Sequence, residues 1–373
     1  MTDTTFASAH RTLVTGFFGP SDPAWPAVLR MMPHDLYHLP DYARVEAARM
    51  GAEALGFWAQ RDDRAFFVPV LLRDCPPLGG SGDGRRDAVS PYGYPGPIAT
   101  PAGCADPVFL RESLAALCGG LRALRACSLF LRSHPLLDPL PASLSMPGIT
   151  HSTSPTVAVD LTLPVEKLWS GTRRGHQSTI NRCQRLGQTA TVVAFDEGLP
   201  HLLPIYAAML ERTAADRQYH FDATYFEGLS RLAANLHIAL VRVDSGEIAA
   251  ACLLFECDGI VQAHLGGSDS RFIRQSPFSL LIHHARLWAR ARGNRVLHLG
   301  GGVGGGDDAV MRFKTGFSSL TRPYRTLRAV LDAEACALLT AARAAELGTS
   351  PSELELLGYF PAYRTTGASP DRH

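Results

Sequence analysis

The sequence predicts a mixed α/β protein of two domains or one large one, because three of its features agree. A chain of 373 residues is long enough for either arrangement. Hydrophobic residues make up 46% of it and charged residues 19%, which is enough apolar material for a large core and too little charge for a disordered chain. Segments with strand and helix patterns alternate along its length, so we expect mixed sheets covered by helices.

The first half of the sequence predicts a helix, a hairpin, a second helix and a strand. Pro40 has the position of a first helical residue, and helical spacing continues to Met50. The polar turn Arg61-Asp62-Asp63-Arg64 joins two strand-like runs. Glycines and prolines fill 75–86 and indicate a loop. The predicted elements are a helix over 41–50, strands over 52–60 and 65–72, a helix over 109–126 and a strand over 129–132.

The second half has a more regular order, with three strands in quick succession. Asp244-Ser245-Gly246 and Asp258-Gly259 mark the hairpin turns between them. Ser276-Pro277 starts a helix that Gly293 ends. The predicted elements are strand 156–161, helix 164–186, strand 188–195, helices 199–217 and 223–235, strands 237–243, 247–257 and 260–266, helix 277–292, strand 295–299, helix 307–317 and strand 324–331.

Composition and charge exclude several classes of function. The net charge of +1 gives no overall signature of nucleic-acid binding, so a polyanion would need a local patch. Apolar runs such as 248–255 are too short to span a bilayer, and no secretion signal pattern opens the chain. The eight cysteines form neither a C-x-x-C pair nor a Cys/His cluster. We expect a cytoplasmic protein with reduced thiols, no bound metal and no membrane partner.

The strongest chemical signal is a glycine-rich segment between a predicted strand and a short helix. Six glycines follow Leu299, and the segment leads into Phe313-Lys314-Thr315-Gly316-Phe317. Glycines allow a ligand to approach the backbone closely, and a helix start offers N–H donors to an anion. The glycine spacing does not fit a dinucleotide-binding loop. Of 36 basic residues only Lys167 and Lys314 are lysines, so Lys314 is a candidate for a role that needs an ammonium group; the alternative is an exposed helix lysine.

Five segments together resemble the Fem family of aminoacyl-tRNA-dependent transferases, which have GNAT-like acyltransferase folds. The most specific are Leu299-Gly300-Gly301 and the later Phe313-Lys314-x-x-Phe317. The others are Tyr37-His38-Leu39-Pro40-Asp41-Tyr42, the aromatic loop from Ser90 to Pro97, and the basic stretch from Arg173 to Arg182. The order of elements in the second half also matches a GNAT core. The resemblance spans roughly residues 35–331.

The resemblance implies two tandem GNAT-like domains that face each other across a central cleft. We expect residues 1–155 with 322–373 to form the acceptor-side domain, and 156–321 to form the donor-side domain. The sequence contains no heptad run, so the coiled-coil arm of some family members is not expected. The implied reaction joins the aminoacyl group of an aminoacyl-tRNA to an amine of a cell-wall precursor or a specialised metabolite. Aminoacyl-tRNA is then the co-substrate, no cofactor is needed, and a monomer is favoured.

The resemblance also implies roles for individual residues. Lys314 would stabilise the tetrahedral oxyanion or the leaving hydroxyl, and His264 is a candidate base, with a satisfied core histidine as the alternative. The basic stretch could equally be a solvated helix face. Residues 211–226 resemble the family's acceptor-binding stretch, in which an arginine beside a tyrosine suits a phosphate or carboxylate, and could equally be a helix–helix turn with an aromatic core residue. The candidate substrate-binding residues are Tyr92, Tyr94, Arg217, Tyr219, Tyr225, Gly300, Gly301 and Phe313, and the candidate tRNA-binding residues are Arg173, Arg174, Arg182 and Arg185.

Two rival functions stay open from the sequence alone. The first is an acyl-CoA-dependent GNAT N-acyltransferase. Such enzymes have a glycine-rich turn that holds the pyrophosphate, whereas residues 274–279 contain no glycine and Pro277 lacks an N–H. The second rival is a catalytically inactive scaffold or RNA-binding module, which would keep its role after the change Lys314→Ala.

Overall fold

The computed structural model describes residues 12–76, 84–141, 146, 148–216, 219–302 and 308–366. In these residues one mixed sheet has helices packed on its faces. Its strands are β1 (Val14–Phe18), β2 (Glu53–Arg61), β3 (Arg64–Asp74), β4 (Arg86–Val89), β5 (Ile98–Ala99), β6 (Ala126–Arg132), β7 (Ile149–Asp160), β8 (Thr189–Ala194), β9 (Leu236–Arg242), β10 (Ile248–Cys257), β11 (Ile260–Ser268), β12 (Val296–Gly301) and β13 (Thr321–Val330). The predicted mixed α/β class is confirmed.

The helices lie between these strands and after the last of them. They are α1 (Ala24–Leu29), α2 (Pro40–Met50), α3 (Pro101–Cys104), α4 (Pro107–Ala123), α5 (Val165–Ser170), α6 (Arg174–Arg185), α7 (Phe195–Thr213), α8 (Ala223–Leu229), α9 (Pro277–Ala291), α10 (Ala309–Lys314), α11 (Ala333–Leu347) and α12 (Pro351–Leu356). None of the helices in the described part of the chain combines the length and the apolar character needed to cross a bilayer.

The sheet consists of two halves with the same topology. In the first half β1-β2-β3-β4 are antiparallel neighbours, β6 is parallel to β4, and β13 is antiparallel to β6. In the second half β8-β9-β10-β11 are antiparallel, β12 is parallel to β11, and β7 is antiparallel to β12. Helices α4 and α9 make the two parallel crossovers. This matching order indicates an internal duplication that leaves no repeat visible in the residues.

The halves are joined where β7 and β13 pair with each other. Their antiparallel register runs from Ile149↔Ala329 to Val157↔Thr321. The two strands are exchanged between the halves. β7 follows β6 in the chain but pairs with β12 of the second half, and β13 follows β12 but pairs with β6 of the first half. The predicted boundary between residues 155 and 156 falls inside β7. The division into two domains stays a prediction.

The sequence predicts one long helix over 164–186, and here the structure differs. The chain forms α5 and α6, separated by Gly171, Thr172 and Arg173. Arg173 has extended backbone angles and donates its N–H to the carbonyl of Gly316, a contact between distant segments. Arg286 is fully buried and donates to the carbonyl of Leu168 and to the Thr172 hydroxyl. These tertiary bonds replace the hydrogen bonds that a continuous helix would make at this point.

The aromatic loop from Ser90 to Pro97 lies against both halves, and two glycines permit its path. Gly93 has a φ of +88°, and an added Cβ there would lie 2.3 Å from the ring of Tyr37. At Gly96 an added Cβ would lie 2.5 Å from the Cα of Ser133 and 2.6 Å from the carbonyl oxygen of Arg132. Both neighbours of Gly96 are backbone atoms, so neither can rotate away.

We expect Gly96→Ala to destabilise the protein by about 1–3 kcal/mol, because the new methyl group collides with backbone of β6 and its extension. Urea denaturation measures the change in the free energy of unfolding. Gly119→Ala is the matched control, since Gly119 lies in α4 with open space around it and the substitution should be neutral or slightly stabilising. Equal free energies for the two variants would contradict the packing described here.

Candidate active site

The site is built around a fork between the two parallel strands of the second half. β11 and β12 pair only over Ile260–Gln262 and Val296–His298. β11 continues to Ser268 and β12 continues to Gly301, so beyond Gln262 and His298 the strands no longer pair with each other. The fork therefore offers backbone groups to a ligand between two strands that are otherwise held in the sheet.

Lys314 is the last residue of α10 and reaches this fork. Its Nζ donates a hydrogen bond to the carbonyl oxygen of Gly301 at 2.6 Å. The side chain of Asp308 caps the helix by accepting from the N–H of Met311 at 2.7 Å. Burial lowers the pKa of Lys314 to about 8, while the negative charge of Asp308 opposes that change. The sequence-predicted lysine is thus a half-buried ammonium group whose position a hydrogen bond fixes.

Phe313 and Phe317, which flank Lys314, hold α10 against α6. His176 contacts both rings, with centroid distances of 5.2 Å and 4.8 Å, and its Nε2 lies 3.0 Å from the carbonyl oxygen of Phe313. Gly316 fits beneath the same imidazole, since a Cβ there would lie 2.3 Å from it. Phe313 therefore positions Lys314 through packing; its predicted contact with substrate stays a prediction.

Gly300 brings two polar groups to the same point of the backbone. It has a φ of +77°, and an added Cβ would lie 3.0 Å from the hydroxyl of Tyr94 and 3.3 Å from the Nζ of Lys314. Burial raises the pKa of Tyr94, so the phenol keeps its proton at neutral pH. The predicted residues Tyr94, Gly300, Gly301 and Lys314 are thus brought together.

His264 lies in a cluster of aromatic side chains. Its Nδ1 is 3.0 Å from the hydroxyl of Tyr37 and its Nε2 is 3.1 Å from the hydroxyl of Tyr225. The ring stacks on Phe255 at 4.0 Å, and burial lowers the pKa of His264 to about 3. With both nitrogens occupied, this geometry favours the core-histidine alternative. The base role of His264 stays a prediction without a free nitrogen to support it, and Tyr225 is buried as its partner.

Beneath the fork lies a buried carboxylate that the sequence analysis missed. Asp35 is fully buried, and its oxygens accept from Leu36 N–H at 2.7 Å, Gln262 Nε2 at 2.7 Å and His134 Nε2 at 2.9 Å. The N–H of Leu136 donates to the Nδ1 of His134, which fixes the proton of that neutral ring on Nε2. Asp35 and His134 belong to the first half and Gln262 to the second, so the carboxylate connects them.

The same chain of hydrogen bonds continues into the fork itself. His298 Nδ1 lies 2.7 Å from the Oε1 of Gln262, its register partner across β11 and β12. His298 Nε2 lies 2.9 Å from the hydroxyl of Thr156 on β7. Burial lowers the pKa of His298, with the charge of Lys314 acting in the same direction. His298 directly precedes Leu299 and the glycine-rich segment in the sequence, but no sequence pattern identifies its hydrogen-bond partners.

Four tyrosines form what we call the tyrosine cluster, namely Tyr92, Tyr94, Tyr219 and Tyr324. All four are half-buried. Tyr94 packs edge-on against Tyr324 at 5.4 Å and against His298 at 4.9 Å, and Tyr92 packs edge-on near Tyr219 at 6.4 Å. Tyr324 was not among the predicted site residues. Arg217, which was, lies outside the described residues.

The four arginines predicted to contact tRNA are exposed along and before α6, and they divide into two kinds. Arg173 donates to the Arg312 carbonyl and to Thr315, and Arg182 donates to the carbonyls of Arg274 and Gln275 at 3.2–3.3 Å. Arg174 and Arg185 have no ion-pair partner in the described part of the chain. A role in binding RNA stays a prediction for all four.

Comparison with known proteins agrees with this architecture. Residues 170–315 match the model of an acetyltransferase (GNAT) domain. The structure of FemX superposes with a TM-score of 0.64 and 13% identity, covering 83% of this chain and 96% of that one. The chain has a Fem-like GNAT fold. The expected resemblance is confirmed at the level of fold, and the match to the acetyltransferase domain model supports an acyltransferase.

Two further solved structures are similar to the chain in fold. One is the C-terminal (DUF2156) domain of a proposed lysylphosphatidylglycerol synthetase from Agrobacterium fabrum, with a TM-score of 0.51, 14% identity and coverage of 82% of this chain and 90% of that one. The other is a conserved protein of unknown function from Bacteroides thetaiotaomicron, with a TM-score of 0.50, 11% identity and coverage of 86% and 100%. No curated protein matches the chain in sequence.

Lys314 should show its lowered pKa directly in chemical labelling. We expect its reaction with acetic anhydride to rise with a midpoint near pH 8, because the free amine forms as the pH passes its pKa. Mass spectrometry of peptides gives the extent of labelling, and the exposed Lys167 is the internal control as the one other lysine in the sequence. A midpoint for Lys314 at or above 10 would contradict the desolvated environment.

Proposed function

We propose that this protein is an aminoacyl-tRNA-dependent aminoacyltransferase that forms an amide bond. The acceptor is an amine of a small molecule or a peptide, such as a specialised metabolite or a cell-wall precursor. The observation that carries the proposal is the Lys314 ammonium group, held on the Gly301 carbonyl at a fork between strands and beside Tyr94 from the opposite half.

The reaction needs positioning and charge stabilisation more than a nucleophile from the protein. The acceptor nitrogen attacks the ester carbonyl carbon, a C–N bond forms, and the C–O bond to the tRNA ribose breaks. A proton passes from the attacking amine to the leaving ribose oxygen. Lys314 stabilises the negative charge that develops on oxygen, and the Tyr94 hydroxyl, which keeps its proton, is a second donor nearby. No step requires His264 as a base.

The turn before α9 supports an aminoacyl-tRNA donor over an acyl-CoA. Binding of a pyrophosphate there would require free backbone N–H groups. The N–H groups of Gln275, Ser276 and Ser279 are already bonded to carbonyls within the turn, and Pro277 has none. Arg182 and Cys183 both donate to the carbonyl of Gln275 and fix this arrangement. The name of one structural neighbour, a proposed lysylphosphatidylglycerol synthetase, also denotes a product that contains an aminoacyl group.

We expect the purified protein to form a ribonuclease-sensitive amide from a charged tRNA and an amine. The assay mixes a full set of radiolabelled aminoacyl-tRNAs with a pool of amines, with and without ribonuclease, and follows loss of ester label and gain of amide product. Turnover with an acyl-CoA, and with none of the charged tRNAs, would establish the rival donor instead. Absence of turnover with either donor would favour the scaffold alternative.

Lys314→Ala should lower the rate of amide formation about 100-fold or more, because a developing oxyanion loses its charged donor. For the wild type the rate should fall as the pH rises through about 8, since the lowered pKa leaves Lys314 charged only below that value. Lys314→Arg keeps the charge and should retain part of the rate. Lys167→Ala is the control and should be fully active. If Lys314→Ala forms the amide at the wild-type rate, Lys314 has no role in the mechanism.

The double variant Arg174→Gln/Arg185→Gln should weaken tRNA binding and reduce its salt dependence. Each lost phosphate contact lowers the slope of log K against log[salt] by about 0.7–0.9. Filter binding at several salt concentrations measures both quantities. The control is Arg30→Gln/Arg111→Gln, which replaces two exposed arginines of the first half. An unchanged slope would show that α6 is a solvated face.

A further inference from the structure

Arg132 is the last residue of β6, and its register partner on β13 is Thr326. Arg132 and Tyr324 therefore occupy the same face of the sheet as diagonal neighbours. The charge of Arg132 opposes the rise in pKa that burial causes at Tyr324, Tyr92 and Tyr219. One guanidinium thus acts electrostatically on tyrosines that both halves of the protein contribute.

The pairing of Arg132 differs from that of three other arginines with largely buried side chains. Arg49, Arg73 and Arg325 are each largely buried, and each forms an ion pair at 2.6–2.7 Å with Glu46, Asp87 and Asp138 respectively. Arg132 has no carboxylate partner among the residues that the structure describes.

The contacts that Arg132 does make leave its charge uncompensated. Its guanidinium lies over the ring of Phe130 at 4.9 Å, and Nη1 donates a long hydrogen bond of 3.4 Å to the carbonyl oxygen of Ser90. A half-buried guanidinium with five N–H donors is matched best by a carboxylate or a phosphate, which accepts two of them side by side.

We propose that Arg132 binds an anionic group, a carboxylate or a phosphate, of the acceptor amine. The inference rests on the proposed function for the identity of the acceptor, but the anion site itself is a property of Arg132 and the tyrosines near it. Tyr324 and Tyr219 would add hydroxyl donors to the bound anion, because burial raises the pKa of each phenol and keeps it protonated. Their rings would cover the organic part of the ligand.

Tyr324 and Tyr94 connect this anion site with Lys314. Their rings lie 5.4 Å apart, and the Tyr94 hydroxyl lies beside Gly300 and Lys314. The bound acceptor would therefore extend from Arg132 past both tyrosines to reach the reacting carbonyl.

Isothermal titration calorimetry at low ionic strength tests the anion site without any turnover. The probes are N-acetylglycine for a carboxylate, inorganic phosphate for a phosphate, and N-acetylglycinamide as the neutral match to the first. None of them carries a reactive amine. We expect the wild type to bind one of the anions at least tenfold more tightly than the neutral amide, and the stronger anion identifies the class of acceptor.

Variants connect that binding to one side chain. Arg132→Gln should lower the affinity for the preferred anion at least tenfold, and Arg132→Lys, which keeps the charge without the planar fork, should lie between. Arg122→Gln is the control, an exposed arginine on α4 that donates to a backbone carbonyl at 2.9 Å, and should bind as the wild type does. If Arg132→Gln does not fold, the test uses Arg132→Lys and the ratio of the wild-type affinities for the anion and the neutral amide.

The outcomes separate this inference from the proposed function. Two results would overturn the anion site, even when aminoacyl transfer is observed. One is that the wild type binds the anions and the neutral amide equally tightly. The other is that Arg132→Gln binds the preferred anion as tightly as the wild type does. A selective anion site that depends on Arg132, in a protein inactive with every charged tRNA, sustains the inference and overturns the proposed donor.

Discussion

The carboxylate of Asp35 is the interaction on which the arrangement of the candidate site depends. A buried carboxylate is costly unless its oxygens accept hydrogen bonds, and here three N–H groups supply them. The donors His134 and Gln262 come from different halves of the protein, so the carboxylate is satisfied only when the halves have the observed orientation. Gln262 in turn is hydrogen-bonded to His298, and both residues lie where β11 and β12 separate. The position of the fork relative to the first half follows from one desolvated group.

The exchange of β7 and β13 adds a second constraint of a different kind. Each half has six strands in the same order, and each takes its last strand from a segment distant in sequence. Nine register pairs between β7 and β13 then make the two sheets continuous. A core cluster on one face also mixes the halves, because Tyr37 and Tyr42 pack with Phe255. Residues of the two halves that contact each other are therefore held by backbone pairing and by apolar burial together.

At the fork, burial and charge act against each other on Lys314. Desolvation favours the neutral amine and lowers the pKa, whereas the Gly301 carbonyl and the charge of Asp308 favour the ammonium form. An ammonium group that is only partly stabilised by the resting protein gains more from a developing oxyanion than a fully paired one would. Arg132 is a comparable case, because none of the described carboxylates pairs with its charge.

The sequence by itself determined the class of fold, most of the elements and the segment around Lys314 on which the candidate site is built. Periodicity, turn residues and helix caps are local signals, so the three-strand meander, α9 and the Phe313–Phe317 segment could be predicted from neighbours in the chain. Tertiary structure alone decided the rest. The break between α5 and α6 depends on Gly316 and Arg286, the Asp35 network joins residues more than 200 positions apart, and His264 takes its two hydrogen bonds from Tyr37 and Tyr225. Such partners are chosen by packing of distant segments and by the need to satisfy buried polar groups, which no local pattern records.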